Sequence, residues 1–193
     1  MPWEKSFDEG EVVGKAMKVF WAKGFEPASM ADLIAGTGIA RGSLYNAFGG
    51  KRQLFVKALE KYDRENRRAI LADMEALDDP TRAIATLFDC IVSETVADTD
   101  RKGCFLVNTS LELAMHDDEV KRIVKRGMGE FEAFFRRSIE VAQARGKVPG
   151  SLDPATTAKG LLAMVVAIRL LGRGVYDAST LKAIAAQAQR LLH

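Results

Sequence analysis

Residues 24–55 of the 193-residue chain read GFEPASMADLIAGTGIARGSLYNAFGGKRQLF and decide the fold of its N-terminal part. Ser29 and Asp32 have the three-residue spacing of a capping box, which satisfies free N–H groups where a helix begins. Gly38 ends that helix, because glycine readily takes the left-handed conformation that follows a helix. A second short helix is predicted over residues 40–48. Two short helices around one tight turn predict a helix-turn-helix unit.

The second short helix carries side chains that can read DNA. Leu44 and Phe48 lie one turn apart and are predicted to point inward. The residues predicted to face outward, into a major groove, are Arg41, Gly42, Ser43, Tyr45 and Asn46. Arginine pairs with guanine and asparagine with adenine through two hydrogen bonds each, and glycine lets the backbone approach the duplex closely.

The charge near this unit also favours a nucleic-acid partner. From Arg41 to Arg68 eight cationic side chains stand against three anionic ones, a local excess of +5 in a chain whose formal net charge is +2. Lys51 opens the next predicted helix, where free N–H groups and the helix dipole also attract phosphate. The alternative interpretation is a solvated basic helix face, and the charge by itself does not separate the two.

The remainder of the chain is also predicted to be helical, which gives an all-α fold of about nine helices. No stretch alternates apolar and polar residues long enough to predict a strand. A capping box at Ser6 and Glu9 is predicted to open the first helix, and Ser179 is predicted to cap the ninth. The fourth to ninth helices are predicted over residues 51–77, 80–97, 104–114, 118–145, 154–172 and 179–192.

The composition predicts a globular, cytoplasmic protein. Hydrophobic residues make up 48% and charged residues 28% of the chain, and its two cysteines, Cys90 and Cys104, are too few for a disulfide framework. The N-terminus lacks the apolar segment of a signal peptide. The longest apolar run, 161–171, contains Arg169 and is shorter than the roughly 20 residues of a membrane span. We therefore expect no membrane partner.

No motif in the sequence predicts catalysis or a cofactor. The chain contains no HExxH, no glycine-rich phosphate loop, no G-x-S-x-G and no C-x-x-C. His116 precedes Asp117, Asp118 and Glu119, a set that could ligate a metal, but a loop followed by an acidic first helical turn explains these residues more simply. We predict that the chain is not an enzyme and that it binds neither a metal nor a cofactor.

About residues 8–55 resemble the DNA-binding domain of the tetracycline-repressor (TetR) family. The family pattern is G-[FY]-x-x-[ST]-[ST], a short helix, G-[VI]-[ST]-[KR]-G-[ST]-L-Y-x-x-F, then x-x-K-x-x-L-[FL]. The matching stretches are 24–33 (GFEPASMADL), 38–48 (GIARGSLYNAF) and 51–55 (KRQLF). The resemblance implies nine helices, a homodimer and a ligand pocket in the C-terminal part.

The resemblance also implies residue roles, a domain division and a function. The side chains implied to contact phosphates are Ser29, Tyr45 and Lys51, and those implied to face the groove are Arg41, Gly42, Ser43 and Asn46. Two positions depart from the family pattern: Ala40, where Ser or Thr is usual, and Gly50, where Ser or Asp is usual. The implied domains are a three-helix DNA-binding domain over 1–50 and a helical effector-binding and dimerisation domain over 51–193. The implied function is a ligand-released repressor that binds a palindromic operator in double-stranded DNA as a homodimer.

The eighth predicted helix is apolar on nearly all sides and must therefore be covered on all sides. The ninth helix adds a second apolar stripe. A two-fold interface between two copies would cover both helices, and the side chains predicted to form it are Leu161, Val165, Ile168, Leu181, Ile184, Ala188 and Leu191. The alternative is that the eighth helix is the central core helix of a single protomer.

Helices four to eight are predicted to enclose a pocket for an unidentified small molecule. The candidate lining residues are Met74, Phe88, Cys104, Phe105, Asn108, Phe131 and Met164. Each of them also fits a plain core position, and the scarcity of inward charges favours an apolar or aromatic compound. Residues 103–108 resemble a segment of one TetR subgroup in which a cysteine begins helix six. Cys104 is then either a sensor of electrophiles or oxidants or a small buried hydrophobe.

Two functions of different classes remain open from the sequence. The first is a ligand-responsive repressor that binds DNA. The second is a protein that binds or sequesters a small molecule and whose helix-turn-helix no longer serves regulation. Only the departures at Ala40 and Gly50 support the second. Binding to the DNA upstream of the protein's own coding sequence separates the two functions, whereas repression and activation are not distinguished by these residues.

Overall fold

The computed structural model describes residues 7–113 and 117–192, and every regular element in that part of the chain is a helix. The first three helices are α1 (Glu9–Lys23), α2 (Met30–Thr37) and α3 (Arg41–Phe48). A long α4 follows in three consecutive segments, Lys51–Tyr62, Asp63–Arg68 and Ala69–Glu75. The remaining helices are α5 (Pro80–Ala97), α6 (Phe105–Glu112), α7 (Asp118–Ala144), α8 (Pro154–Leu171) and α9 (Ala178–Arg190). The predicted all-α fold of about nine helices is confirmed for the described residues.

Two of the predicted helix starts are wrong. Helix α1 is capped by Asp8 and not by Ser6, which lies outside the described residues. Helix α9 is capped by Asp177, whose carboxylate accepts the Thr180 N–H at 2.8 Å, rather than by Ser179. At the start of α9 Asp177 lies close to Ser179, and a charged carboxylate oxygen is the stronger acceptor at the positive end of a helix dipole.

Helix α4 is not a continuous α-helix. Residues 63–68 form a π-helical turn between its two α-helical segments. The side chains of Asp63 and Arg67 form a buried ion pair in this turn. Arg67 also places its Nη1 atom 2.7 Å from Oε2 of Glu130 on α7. The prediction of one α-helix over 51–77 is therefore wrong in this turn, and a pairing between helices leaves no mark on the local 3.6-residue pattern from which the prediction was made.

Two apolar clusters form the core of the protein. The first joins α1, α2, α3 and the first segment of α4 with parts of α6 and α7, and includes Phe20 and Phe55. The second lies among the last segment of α4 and helices α5, α7, α8 and α9, and includes Phe88 and Phe135. Helix α4 therefore runs from one cluster into the other, with the π-helical turn between them. A domain boundary at residue 50 stays a prediction, because the first segment of α4 packs within the first cluster.

Helix α8 is long and apolar enough, by length and composition alone, to cross a membrane. In the structure it packs against α5, α7 and α9. Its buried side chains are Ala158, Leu161, Val165 and Ile168. The opposite face is not covered by the protomer, and Leu170 on that face is 38% exposed. An apolar helix that one protomer covers only in part leaves a face free for a partner.

Candidate nucleic-acid interface and internal cavity

Helix α3 presents a polar outer face, as the sequence predicts. Leu44 and Phe48 are buried in the first apolar cluster and fix the orientation of the helix. The exposed residues of the helix include Arg41, Gly42, Tyr45 and Asn46, whereas Ser43 is half-buried. The Arg41 guanidinium lies 5.8 Å from the centre of the Tyr45 ring, one turn further along the same face. Arg41, Tyr45 and Asn46 therefore share an accessible surface.

The starts of α3 and α4 both lack a side-chain cap. Ala40 precedes α3 and Gly50 precedes α4, and neither residue offers a side-chain oxygen to the first turn. Gly50 has a φ of 132°, a conformation that few other residues adopt, and the Tyr45 ring would lie 3.5 Å from a Cβ added there. The uncapped N–H groups and the dipoles of these helices favour an anion such as a phosphate.

Ser29 and Lys51, the other implied phosphate ligands, have partners within the protein. Ser29 is exposed, and its side chain caps α2 by accepting the Asp32 N–H at 3.1 Å, which confirms the predicted capping box. The Lys51 ammonium lies 4.6 Å from the centre of the Phe25 ring and donates to the Glu26 carbonyl at 3.2 Å. Contact of either side chain with phosphate stays a prediction.

Several cations of the basic stretch are neutralised inside the protein. Arg52 donates to Asp117 at 2.6 Å and to Glu119 at 2.9 Å, which ties the start of α4 to the start of α7. Lys61 pairs with Glu65 in the same way within α4, and Arg67 pairs with Asp63. The pairs within α4 are already counted in the excess of +5, and the carboxylates of Asp117 and Glu119 reduce it further, so the charge does not by itself indicate DNA.

The Arg52–Asp117 pair predicts a dependence of stability on pH. Hydrogen bonds from Arg52 hold the pKa of the Asp117 carboxyl below its ordinary value. A lowered pKa stabilises the fold above the unfolded-state value of about 4, and this stabilisation is lost as the pH falls through the lower, folded-state pKa. Asp117→Asn keeps an oxygen that can cap α7 but loses the charge. We expect it to lower the free energy of unfolding by about 1 kcal/mol at pH 7, because Arg52 is partly exposed.

Urea unfolding of the wild type and Asp117→Asn at pH 7 and at pH 3 measures this difference. It should shrink at pH 3, because this pH lies below the unfolded-state pKa of about 4 and protonation of the carboxyl in the unfolded chain removes part of the stabilisation. Asp118→Asn is the control, since Asp118 is exposed in the first turn of the same helix. An equal difference at both pH values would contradict the assignment.

A cavity of about 650 Å³ lies between α4, α5, α6, α7 and α8. Its walls are mainly apolar and include Ile70, Ile91 and Val107. Polar and charged groups also line it, among them Asp73 and Glu94. The Tyr62 hydroxyl donates to Cys104 Sγ at 3.6 Å, and the Arg169 guanidinium donates to Thr95 Oγ1 at 3.3 Å. Burial raises the pKa of Tyr62 well above its ordinary value, so its hydroxyl remains a neutral donor.

The cavity includes only part of the predicted pocket. Met74, Cys104 and Phe131 line it. The four predicted residues that are not among its lining are Phe88, Phe105, Asn108 and Met164. Phe88 and Phe105 are buried in the second and first apolar clusters, and Met164 packs against the second cluster.

Asn108 is instead a structural link beside the cavity. Its side-chain amide donates to the Lys102 carbonyl at 2.6 Å, and its oxygen accepts from Arg173 at 3.1 Å. The cavity also contains residues that the sequence did not suggest. They are Tyr62, Arg67, Arg169 and, from α1, Trp21.

No metal site is apparent within residues 7–113 and 117–192, where no three metal-ligating side chains come together. His116, the histidine of the candidate metal cluster, lies outside the described residues. Its neighbour Asp117 caps α7 by accepting the N–H groups of Glu119 and Val120 at 3.0 and 3.1 Å. The helix-start interpretation of these acidic residues is therefore confirmed for Asp117.

Comparison with known families agrees with this arrangement. A family profile described as "Bacterial regulatory proteins, tetR family" matches residues 13–58. A second profile, "Tetracyclin repressor-like, C-terminal domain", matches residues 80–188, which is more than half of the chain. The chain belongs to the TetR family. Proteins of this family are transcriptional regulators that bind DNA, and they are not enzymes.

Individual relatives of this TetR-family regulator cover most of its length. The uncharacterized HTH-type regulator YezE of Bacillus subtilis is 33% identical over 147 residues, which are 76% of this chain and 75% of YezE. The HTH-type transcriptional repressor ComR of Escherichia coli is 27% identical over 191 residues, 97% of this chain and 90% of ComR. A cysteine mutant of the TetR family regulator CifR, solved with 26-base-pair double-strand operator DNA, has a TM-score of 0.85 at 26% identity and covers 96% of this chain and 97% of its own.

The predicted dimer interface of this TetR-family regulator needs a correction. Five of its seven residues are buried within one protomer and cannot meet a second copy: Leu161, Val165, Ile168, Leu181 and Ala188. Of the other two, Ile184 is half-buried and Leu191 is 40% exposed. The side of α8 that carries the large aliphatic residues thus packs on the protomer's own core. This agrees with the alternative interpretation of the sequence, in which the eighth helix is a core helix of a single protomer. On the opposite face of α8, Thr156, Ala163 and Leu170 are exposed, and Gly160 and Ala167, which lie at the same helical spacing, are half-buried.

Proposed function

We propose that this TetR-family regulator is a cytoplasmic repressor that binds a palindromic operator as a homodimer and is released by a small-molecule effector. The observation that carries the proposal is the outer face of α3. There Arg41, Tyr45 and Asn46 are exposed together, beside the uncapped starts of α3 and α4. Guanidinium and amide groups can read base edges, while the N–H groups and the Tyr45 hydroxyl can hold phosphates. The operator complex of CifR supports the same use of this fold.

A homodimer would be formed through the uncovered face of α8 together with α9. Residues Gly160, Ala163 and Ala167 on that face are small, so a second helix can approach closely, and Leu170 supplies an apolar contact. Small apolar residues at alternating spacings of three and four residues suit helix packing across a two-fold axis. Two copies of α3 then reach half-sites about 34 Å apart, which is one turn of DNA.

The effector would occupy the cavity and act partly through α4. That helix lines the cavity at Tyr62 and Met74 and starts beside α3 at Lys51. The apolar walls favour an apolar or aromatic compound. An effector releases DNA only if it binds the DNA-free conformation more tightly, and operator DNA must then weaken effector binding by the same factor.

A gel-shift titration with the DNA upstream of the protein's own coding sequence tests the proposal. We expect Tyr45→Ala to weaken binding to all DNA fragments about 10- to 100-fold, because it removes a hydrogen bond to a charged phosphate. Asn46→Ala should instead reduce discrimination at particular base pairs by about 1–3 kcal/mol. Asn66→Ala, an exposed asparagine of α4 away from this face, should leave the binding unchanged.

Two results of this titration would contradict the assignment in different ways. If both α3 variants keep the wild-type affinity and sequence preference, the residues that read DNA do not lie on α3. A wild-type protein that shifts no fragment would favour a small-molecule binding protein whose helix-turn-helix no longer serves regulation.

A further inference from the structure

The DNA-binding half of the protein, here helices α1–α3, supplies part of the cavity wall through α1. Trp21 lies near the end of α1, and its indole lines the cavity together with residues of α4–α8. The ring packs edge-on against Tyr62, with centroids 4.9 Å apart. Its Nε1–H donates to the Gly103 carbonyl at 2.8 Å, and the Lys102 ammonium lies 5.5 Å from the ring centre. Because Tyr62, Lys102 and Gly103 also line the cavity, an occupant must lie close to the indole.

Helix α6 is attached to the α1 region at both of its ends. Before its first turn, the Gly103 carbonyl accepts the bond from Trp21. At its last residue, the Glu112 carboxylate accepts the backbone N–H groups of Phe25 at 3.1 Å and Glu26 at 2.9 Å. These two N–H groups follow directly after α1. The short helix therefore bridges the cavity and the DNA-binding half.

Gly24 makes the second attachment possible. Its φ is +86°, and a Cβ at this position would lie 3.0 Å from both carboxylate oxygens of Glu112. Any larger residue would be strained and would push the carboxylate away. Between the two attachments, Leu106 and Val107 of α6 line the cavity. An occupant thus meets the first turn of α6, next to the bond between Trp21 and Gly103.

We propose that an apolar aromatic molecule in the cavity acts on α1 directly, by displacing the Trp21 indole and breaking its bond to Gly103. This inference rests on the proposed function, since it names how the effector of that function reaches the DNA-binding half. Helix α1 packs against α2 and α4, so a loosened α1 releases the support of the helix-turn-helix. The aromatic rings of Trp21, Tyr62 and Phe131 at the cavity suit a flat apolar ligand.

The test uses the neutral dye N-phenyl-1-naphthylamine as the cavity probe. Trp3 and Trp21 are the two tryptophans of the chain, so Trp3→Phe leaves Trp21 as the single emitter. Dye fluorescence reports binding, and quenching of Trp21 emission reports contact with the indole. Hydrogen exchange measures the stability of α1 and α3 in the same samples. We expect saturating dye to quench Trp21 and to raise amide exchange in both helices about fivefold, the lower end of usual coupling between sites.

Trp21→Phe separates coupling from binding. It keeps an aromatic wall but cannot donate to Gly103, so α1 should exchange faster even without dye. We expect the dye to bind within about threefold of its wild-type affinity and to add no further exchange in α3. Phe131→Leu is the matched control. It also removes an aromatic ring from the wall but lies on α7, so it should weaken dye binding and leave the rise in exchange at saturation intact.

Three outcomes would overturn the inference. If the dye does not bind, the result contradicts both this inference and the assignment of the cavity to an effector in the proposed function. A dye that binds without quenching Trp21, or a Trp21→Phe protein that keeps the full dye-dependent exchange in α3, would remove only the route through α1. Because the quenching measurement uses the native Trp21, it stands even if Trp21→Phe folds poorly.

Discussion

Arg67→Met is expected to destabilise the protein by about 3–5 kcal/mol, because it leaves the Asp63 carboxylate buried without its partner. The side chains of Arg67 and Asp63 are each only 2% exposed. Arg67 Nη2 donates to Asp63 at 2.9 Å, in addition to a shorter bond from Nε. Its Nη1 lies 2.7 Å from Glu130, although without the geometry of a hydrogen bond. The nearest substitutes, Arg68 and Arg126, are 3.4 and 3.9 Å from Asp63.

Urea unfolding at a fixed protein concentration measures this loss, since a dimer would make stability depend on concentration. Arg68→Met is the control and should cost less than about 1 kcal/mol, because the Arg68 side chain is 46% exposed and Asp63 keeps its closer partner Arg67. The double variant Asp63→Leu with Arg67→Met should recover most of the stability, since it leaves no unpaired charge. If Arg67→Met unfolds within about 1 kcal/mol of the wild type, the pair does not hold the π-helical turn.

Ala163→Arg is expected to separate the proposed dimer and to lower operator affinity about 100-fold or more. Ala163 is exposed near the middle of α8, on the face opposite the core, and the half-buried Gly160 and Ala167 lie at helical spacing on either side of it. A guanidinium placed there would be buried by the second copy without a counter-charge. A monomer holds one half-site only and loses the avidity of two linked contacts.

Light scattering and the operator titration check this prediction together. Ala72→Arg is the control, because Ala72 is an exposed alanine on α4 outside the α8 face. Val165→Arg, which the sequence alone would suggest, is the wrong variant, since Val165 is 4% exposed within the protomer's own core and its replacement would unfold the chain. An Ala163→Arg protein that remains dimeric would place the interface elsewhere.

The helices of this regulator could be predicted from sequence because their ends are marked locally. The capping box at Ser29 and the glycines after α2 and α3 act within a few residues, so periodicity and caps identify them. The predicted starts of α1 and α9 were wrong because Asp8 and Asp177, each two residues from the predicted serine, cap these helices instead. The π-helical turn escaped prediction because its ion pair reaches Glu130, more than sixty residues away.

The functional surfaces could be predicted only in part. Because α8 is apolar on nearly all sides, its sequence does not reveal which side meets the core. In the structure the larger side chains, such as Leu161 and Val165, lie on the inner side. Met and Phe side chains likewise look the same in sequence whether they border a cavity or fill a core, so Met74 and Phe88 were not distinguishable. Trp21 follows the buried Phe20, and nothing in the sequence links it to Gly103, 82 residues further on.

The uncapped starts of α3 and α4 affect how far surface substitutions can lower the affinity of this protein for DNA. Under the proposed function, phosphates would be held there by backbone N–H groups after Ala40 and Gly50, which an alanine substitution does not remove. An alanine scan of the surface would therefore leave a residual, salt-sensitive affinity for any duplex. If these roles hold, substitutions at Arg41 and Asn46 would change the preferred operator sequence while backbone contacts to phosphate keep the protein bound to DNA, so a new specificity could evolve without an intermediate that no longer binds DNA.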